Sequence, residues 1–590
     1  MQHPEQFYKQ RITQCEQQLA AFKKRLFAIG MLRLSVFLFA VFGGYFFFDQ
    51  KAIFFLLILG CLAIFIYLVS RHADLKYLKD KWQKLLHINR QELKVLKRKF
   101  HHLPDGAEFA NPKHHFSSDI DLFGRGSFYQ YCNRTALKLG SESLAKILTE
   151  NNIDRIPDKQ RAIEELSALV EWRQEFSAAA SMIKAETTYD IIVNWMRQYT
   201  SFVPAAFRWI PFVFGTLSAG IITAYSFDLI SGWGLAAWFF LGLGISGQYL
   251  KKINKLSADT SKVLSTFQQY EKLTVMVEKQ GFEAKWLQEK QALVLREGET
   301  ASGILKRFSR LLNALDQRNN IIIGILANAF MLRDLWLSLK IENWIKGHAA
   351  EVEDWFRAIA FFDANISLGN FAFNHPEYHY PKITDSEILL KTTEAAHPLL
   401  DPQRRITNDV EIRKGQFFII TGANMAGKST FLRTIGLQIV MGNIGLPLCA
   451  GASTYSPIRL ISSMRTTDSL TDDESYFFSE LKRLKFIVDE IAGDQYFVLL
   501  DEILKGTNST DKARGSRKFV EQLVRSGSTG MIATHDLSLC GVAEDYKEMA
   551  NYYFDAEIKN DELHFDYKFK EGICQNMNAS FLLKKMKVIE

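Results

Sequence analysis

With 590 residues, 47% hydrophobic and 23% charged, and a formal net charge of +7, the chain is too long for one compact core and too balanced in charge to require a polyanionic partner. Its six cysteines, Cys15, Cys61, Cys132, Cys449, Cys540 and Cys574, form no CxxC pair, which argues against a zinc site or a disulfide framework and for a reduced, cytosol-facing protein. Only 12 prolines suit a largely helical chain, and many of its 46 phenylalanines gather in two apolar regions.

Residues 1–25 read as a charged amphipathic helix leading into the first of these regions. Leu26 to Phe48 is interrupted only by Arg33, which lies near one end and can snorkel to an interface. Ala52 to Ser70 contains no charged residue. At about 1.5 Å per residue it nearly crosses a hydrocarbon layer of about 30 Å. Asp49, Gln50 and Lys51 alone separate the two runs, so 26–48 and 52–70 are expected to form a tight transmembrane hairpin. Lys23, Lys24 and Arg25 precede it and Arg71, Lys76, Lys79 and Lys81 follow it, which places both ends in the cytoplasm. Two consecutive spans and no small-residue cleavage site argue against a signal peptide. Residues 72–100 return to charged amphipathic helix and complete an N-terminal unit of 1–100.

The polar stretch 101–118, with Pro104 and Pro112, reads as a linker. His101, His102, His114 and His115 lie in it without a cysteine or carboxylate at ligand spacing, so they read as solvated rather than metal-binding. From Asp119 to about Asp363 the apolar period is helical, EELSALVEW and ILKRFSRLLNALDQ being clear instances, and 119–385 forms a helical core. Within it a second apolar pair, 210–226 and 229–250, is joined around Asp228. Arg208 before it and Lys251, Lys252 and Lys255 after it repeat the charge pattern of the first hairpin. A buried helical pair is the competing reading, but the glycines and the length of the second run favour a second transmembrane hairpin. The Lys-, Glu- and Gln-rich helices of 251–296 read as solvated faces rather than as a nucleic-acid surface.

Past Lys382 short β-type runs alternate with helices, marking an α/β domain over 386–590. There the apolar strand QFFIIT (416–421) runs into Gly422, Ala423, Asn424, Met425, Ala426, Gly427, Lys428 and Ser429, followed by Thr430, matching the P-loop pattern GxxxxGK[ST]. The glycines let backbone N–H groups turn toward phosphates, and the following helix adds the positive end of its dipole. Lys428 is expected to reach the β- and γ-phosphates and Ser429 to bind Mg²⁺. A second strand, YFVLL (496–500), ends in Asp501 and Glu502. Asp501 is expected to hold Mg²⁺, and Glu502 to orient or deprotonate the attacking water. A third, MIAT, ends at His535, placed to sense the γ-phosphate. An acidic pair after one strand could be structural. Three polar strand ends at one sheet edge point instead to a ligand site. ATP and Mg²⁺ are the implied cofactors and ATP hydrolysis the implied reaction.

TGANMAGKSTFLRTIGLQIVMGNIGLPLCA, DEILKGTNSTDKARGS and ATHD together resemble the ATPase domain of the MutS family of DNA mismatch-repair proteins, over roughly 390–590. HPLL (397–400) fits the family's run into that domain. DIDLFGRGSFYQYCNRTALKLGSESLAKIL (119–148) looks like the start of the family's helical core, and WFRAIAFFDANISLGNFAF like its closing helix. The resemblance implies that DSLTDDESYFFSE (468–480) is a composite-site loop offering Ser475 to the γ-phosphate of a second subunit, hence a homodimer through the ATPase domains. It implies adenine contacts from Ile406 and Tyr567, and it matches Asn424 to the family's P-loop asparagine. Ala423 stands where the family usually has proline. The family's mismatch-reading domain with its Phe-x-Glu wedge is not found, Phe478-Ser-Glu480 lying inside the ATPase loop, and no smaller nuclease domain follows. The second apolar pair falls near where the family inserts its DNA-gripping clamp.

The fold expected is therefore a mostly α-helical core with transmembrane hairpins, followed by an α/β P-loop NTPase domain of the ABC/MutS type. The function expected is that of a multi-pass protein of the cytoplasmic membrane, in contact with lipid, whose N-terminus and ATPase domain face the cytoplasm. It would act as an ATP-driven dimeric switch on branched or non-specific DNA without reading mismatches. The alternative is a membrane machine with no DNA role. In its transporter form it lacks an LSGGQ-like signature.

Overall fold

The computed structural model describes residues 3–182, 187–295, 298–319, 321–423, 425–465, 476–505, 508–559 and 562–575. Asn424 and Ser475, with residues 468–475 of the expected composite-site loop, lie outside these.

The chain opens with two very long helices, α1 (Pro4–Phe46) and α2 (Lys51–Leu96), of 43 and 46 residues. The sequence divides each into a charged and an apolar part. In the structure each runs unbroken, because no proline interrupts either and a change of side-chain polarity does not disturb the i→i−4 ladder. Gly43 and Gly44 let the pair close at its tip, against Leu57 and Phe54. Around that tip Tyr45, Phe46 and Leu56 are 81%, 78% and 70% exposed. Both helices are long and apolar enough to cross a membrane, by length and composition.

Their charged halves pack on α3 (Val170–Met182), where Cys15, Leu85 and Ala178 form a small core. The second apolar pair forms α4 (Ile210–Ser226) and α5 (Gly232–Gln248), each 17 residues. It is shorter than the run 229–250 suggests, since Asp228 turns the chain with φ 55. A new helix, α6 (Leu250–Lys279), begins beyond Tyr249. Phe212, Trp233 and Phe240 are 72%, 87% and 68% exposed, so much of this pair lies outside the core. A third apolar helix, α7 (Ile321–Met331), not singled out by periodicity, packs on α5. Gly242 makes this approach possible: a Cβ there would lie 2.1 Å from the Ala329 carbonyl oxygen.

The 42-residue α8 (Arg333–Asn374) follows and forms the spine of the molecule. Its middle, Trp355, Phe356 and Phe362, fills the helical core with Phe267 and Phe308. Its end, Phe371 and Ala372, belongs to the core of the α/β domain.

Two sheets make up that domain. The smaller has order β1 (Lys382–Ile383), β5 (Ala452–Tyr455), β2 (Ile388–Ala395), β3 (Asn408–Arg413). The larger has order β12 (Lys570–Glu571), β9 (Met549–Phe554), β4 (Phe417–Gly422), β8 (Thr529–Ala533), β7 (Tyr496–Asp501), β6 (Arg459–Ser463). It is parallel from β9 to β6 and antiparallel at β12. Strand β4 is buried throughout, as a central parallel strand covered on both faces must be. The helices α9 (Lys428–Asn443), α10 (Tyr476–Ile491) and α11 (Ser509–Arg525) complete the domain, and a hairpin of β10 (Ala556–Lys559) and β11 (Glu562–Phe565) stands apart.

Two expectations change. The stretch 101–118 is not a free linker: Leu103 and Phe116 are buried, Arg483 donates to the His114 and His115 carbonyls, and Ser462 N–H donates to the His115 carbonyl at 2.9 Å. His114 and His115 are accordingly half-buried. His115 lies parallel to the Tyr496 ring and 3.3 Å from Glu490, and desolvation lowers the His114 pKa to about 4. Nor does the helical core begin at 119, because Ile120, Leu122 and Phe128 share one core with Phe418, Leu432 and Ile435. Their apolar side chains are recruited by α9, where a Cβ on Gly436 would meet Ile120 at 2.9 Å.

Candidate nucleotide site

The carboxyl ends of β4, β7 and β8 lie side by side, so the three strand-end signals of the sequence converge on one place. At the end of β4, Gly422 has φ +146 and Gly427 has φ +106, values a side chain rarely tolerates. Gly422 also passes so close to β9 that a Cβ would meet the Phe554 carbonyl oxygen at 2.5 Å. Between the glycines Ala426 is buried, Ala423 half-buried, and Met425 77% exposed with φ 68.

Lys428 opens α9 and is only 5% exposed. Its ammonium donates to the carbonyls of Gly422 (2.8 Å) and Ala423 (3.0 Å) and lies 3.2 Å from His535 Nε2. Burial pulls its pKa below the ordinary lysine value, with Glu502 and Asp501 offsetting part of that. Burial raises the Asp501 pKa, and the Ser429 side chain beside its carboxyl offsets part of that. That hydroxyl–carboxylate pair at a helix N-terminus fits a hard divalent cation.

Glu502 follows with φ 52, and its N–H donates to the Ala533 carbonyl at 2.9 Å. Its Oε1 lies 2.8 Å from His535 Nε2, and this bond, with the nearby cations, holds the carboxyl at about 2. Donation from Nε2 to Glu502 leaves that nitrogen no lone pair for Lys428, so the two contacts compete. A carboxylate this weakly basic is a poor proton acceptor, and the arrangement suits Glu502 to orienting water as a hydrogen-bond acceptor. The loop beyond it is pinned by Glu480, which accepts from the Lys505 N–H at 3.0 Å.

A cavity of about 620 Å³ opens over this cluster. Gly427, Lys428, Ser429, Thr430, Glu502 and His535 line one side. Ile406 and Tyr567, 41% and 43% exposed, line it as well. Asn408 holds the latter in place: its Nδ2 donates to the Tyr567 carbonyl (3.1 Å) and its Oδ1 accepts from Phe569 N–H (2.8 Å). The sequence-predicted residues among those described are thus brought together. Asp501 sits behind Ser429 rather than on the cavity wall. Wall residues given no role from sequence include His397, Arg404 and Arg405. Desolvation drives the His397 pKa to about 4, so its ring is neutral. Only the HPLL run hinted at it.

Residues 418–587 match the family model described as MutS domain V. The DNA mismatch repair protein MutS of Methanococcoides burtonii is 30% identical over 246 residues, covering 40% of this chain and 27% of that protein. MutS protein homolog 4 of Homo sapiens is 30% identical over 231 residues, covering 37% of this chain and 24% of that protein. The MutS protein of Thermotoga maritima is 27% identical over 235 residues, covering 39% and 29%. The chain spans about a quarter of the length of the curated relatives it matches. Over its P-loop domain, the chain is similar to domain V of the MutS family.

Proposed function

We propose that this protein is a membrane-anchored MutS-like ATPase, a dimeric switch driven by ATP and acting on DNA. The observation that carries the ATPase reading is the preformed cluster of Lys428, Ser429–Asp501 and Glu502–His535 under one cavity. Mg²⁺, when bound, would be held by Ser429 and Asp501 and would neutralise phosphate charge. Lys428 would leave the P-loop carbonyls for the phosphates, freeing His535 for Glu502 alone. Tyr567 and Ile406 would flank the base. Ser475 from a second subunit would complete the site, as the family resemblance implies.

Two observations support the membrane reading. The apolar windows of α1 and α2 are 0% and 11% buried, unlike core helices. Both apolar pairs also point one way. Asn89 of α2 meets Gln174 of α3 while Leu85 packs in one cluster with Ala178, and Trp172 of α3 donates to Met276 of α6 while Gln269 donates to Ala180. Both α2 and α6 therefore run antiparallel to α3, and each has its apolar hairpin toward its N-terminal end.

DNA as partner rests on the relatives that are DNA mismatch repair proteins. The second reading, a membrane machine with no DNA role, is favoured by α8, which runs from the base of α7 to the ATPase core. Binding of the detergent-solubilised protein to branched and linear duplexes separates them. Salt-dependent affinity that is higher for the branched form supports a DNA role, and no binding at low salt with or without ATP removes it. For the site, Glu502→Gln, which loses the charge that orients the water, should retain ATP and lose turnover by about 10²-fold. Unchanged turnover would take Glu502 out of the mechanism. Mixed dimers of Ser475→Ala and Lys428→Ala subunits should keep one intact site. Complete inactivity of the mixture would count against a shared site.

A further inference from the structure

A second polar cavity, of about 250 Å³, lies where the charged half of α2 meets α3 and α8. Its walls include Glu92, Arg134, Thr135, Arg173, Ser177 and Asn370. Charge does not balance there. Glu92, 2% exposed, accepts from Arg134, from Asn370 at 3.1 Å and from Asn374 at 2.8 Å, so this single carboxylate is bonded to Arg134 and acts on Arg173 only from a distance. Arg173, 1% exposed, has only neutral hydrogen-bond acceptors among the described residues, Asn370 Oδ1 (2.9 Å) and the Ser167 carbonyl (3.2 Å). Its Nε has no hydrogen-bond partner among the described residues. The Phe373 ring, 5.6 Å away, covers part of the cation. The nearby Tyr8 hydroxyl, its pKa raised well above the ordinary value by burial, supplies no negative charge.

Burial lowers the Arg173 pKa only to about 10, so the guanidinium stays charged at neutral pH. Two buried guanidiniums sharing one carboxylate leave a net positive charge, which is strongly unfavourable there, and a counter-ion is the direct remedy. We infer that this cavity binds a small soluble oxyanion of phosphate size, held by Arg173 together with Arg134. A lipid headgroup is the wrong source: Ile88, on the cavity wall, lies roughly 27 Å along α2 beyond Ser70, where the apolar stretch ends. The anion would tie α2 to α3 and α8 and so stiffen the joint between the apolar hairpin and the spine.

The test uses the full chain in detergent carrying Lys428→Ala, so that the P-loop contributes no phosphate affinity. Inorganic phosphate should raise the melting midpoint saturably, by about 2–4 °C near ten times its dissociation constant, above a chloride control of equal ionic strength. Adding Arg173→Gln should abolish the rise. Ser177→Leu, which fills the cavity and leaves Arg173 and its hydrogen bonds in place, should abolish it too and covers a failure of the first variant to fold. A rise no greater than that in chloride, or one that survives both substitutions, would overturn the proposal.

Discussion

At the scale of single residues, Glu502 is defined by its neighbour. His535 is the largest cause of its depressed pKa, which falls from an ordinary 4.5 to about 2. A folded-state value below the unfolded one means that ionised Glu502 stabilises the fold fully above about pH 4.5, and that this contribution is lost as pH falls toward 2. His535→Ala should therefore flatten the dependence of the melting midpoint on pH across that acid window. Parallel curves for the two proteins would show that the Glu502–His535 bond is not formed in solution. The signals for Glu502 and His535 were legible in the sequence because each ends an apolar strand. Their mutual contact was not legible, because it depends on β7 and β8 being neighbours.

Among the elements, glycines mark where helices come too close for a side chain. At Gly140 a Cβ would lie 2.0 Å from Asp363 Oδ2, the carboxylate that accepts from the Ala136 and Leu137 N–H groups. Gly140→Ala must displace that carboxylate, with an expected loss of about 1–3 kcal/mol by overpacking, read from denaturant or thermal unfolding. Gly242→Leu should likewise push α7 off α5, lowering the melting midpoint in detergent, whereas the neighbouring Gly244→Leu, with nothing within 4 Å, should not. Equal effects at the two positions would refute the close packing of α5 on α7. The hub on Glu92 offers a third case. Glu92→Ala strands Arg134 beside an already unpaired Arg173, and removing one partner of a buried pair costs about 3–5 kcal/mol. A loss below about 1 kcal/mol would mean the hub is hydrated in solution.

For the whole molecule, the two exposed apolar regions pose one question. Large contiguous apolar surface on a soluble monomer is uncommon. The α1–α2 tip and the α4–α5 pair, with Phe46 78% and Trp233 87% exposed, both present it. If both are lipid-embedded, the chain lacking residues 26–70 should still sediment with membranes after an alkaline carbonate wash, through α4 and α5. Its release into the supernatant would leave the first hairpin as the sole anchor. Of this architecture the sequence by itself determined what depends on neighbours along the chain. That covers the P-loop between strand and helix, the acidic and histidine strand ends, and the two apolar pairs with their basic flanks. Backbone geometry and helical period are local properties, so contiguous residues suffice to state them. The tertiary structure decided what depends on which distant segments meet. It joined residues 116–128 to the core of the α/β domain, docked the expected linker, and placed His397, Arg404 and Arg405 around the P-loop cavity. It also buried Arg173 with no carboxylate bonded to it among the described residues. Burial and the pairing of charge are properties of packed elements, and no spacing within one element can specify them.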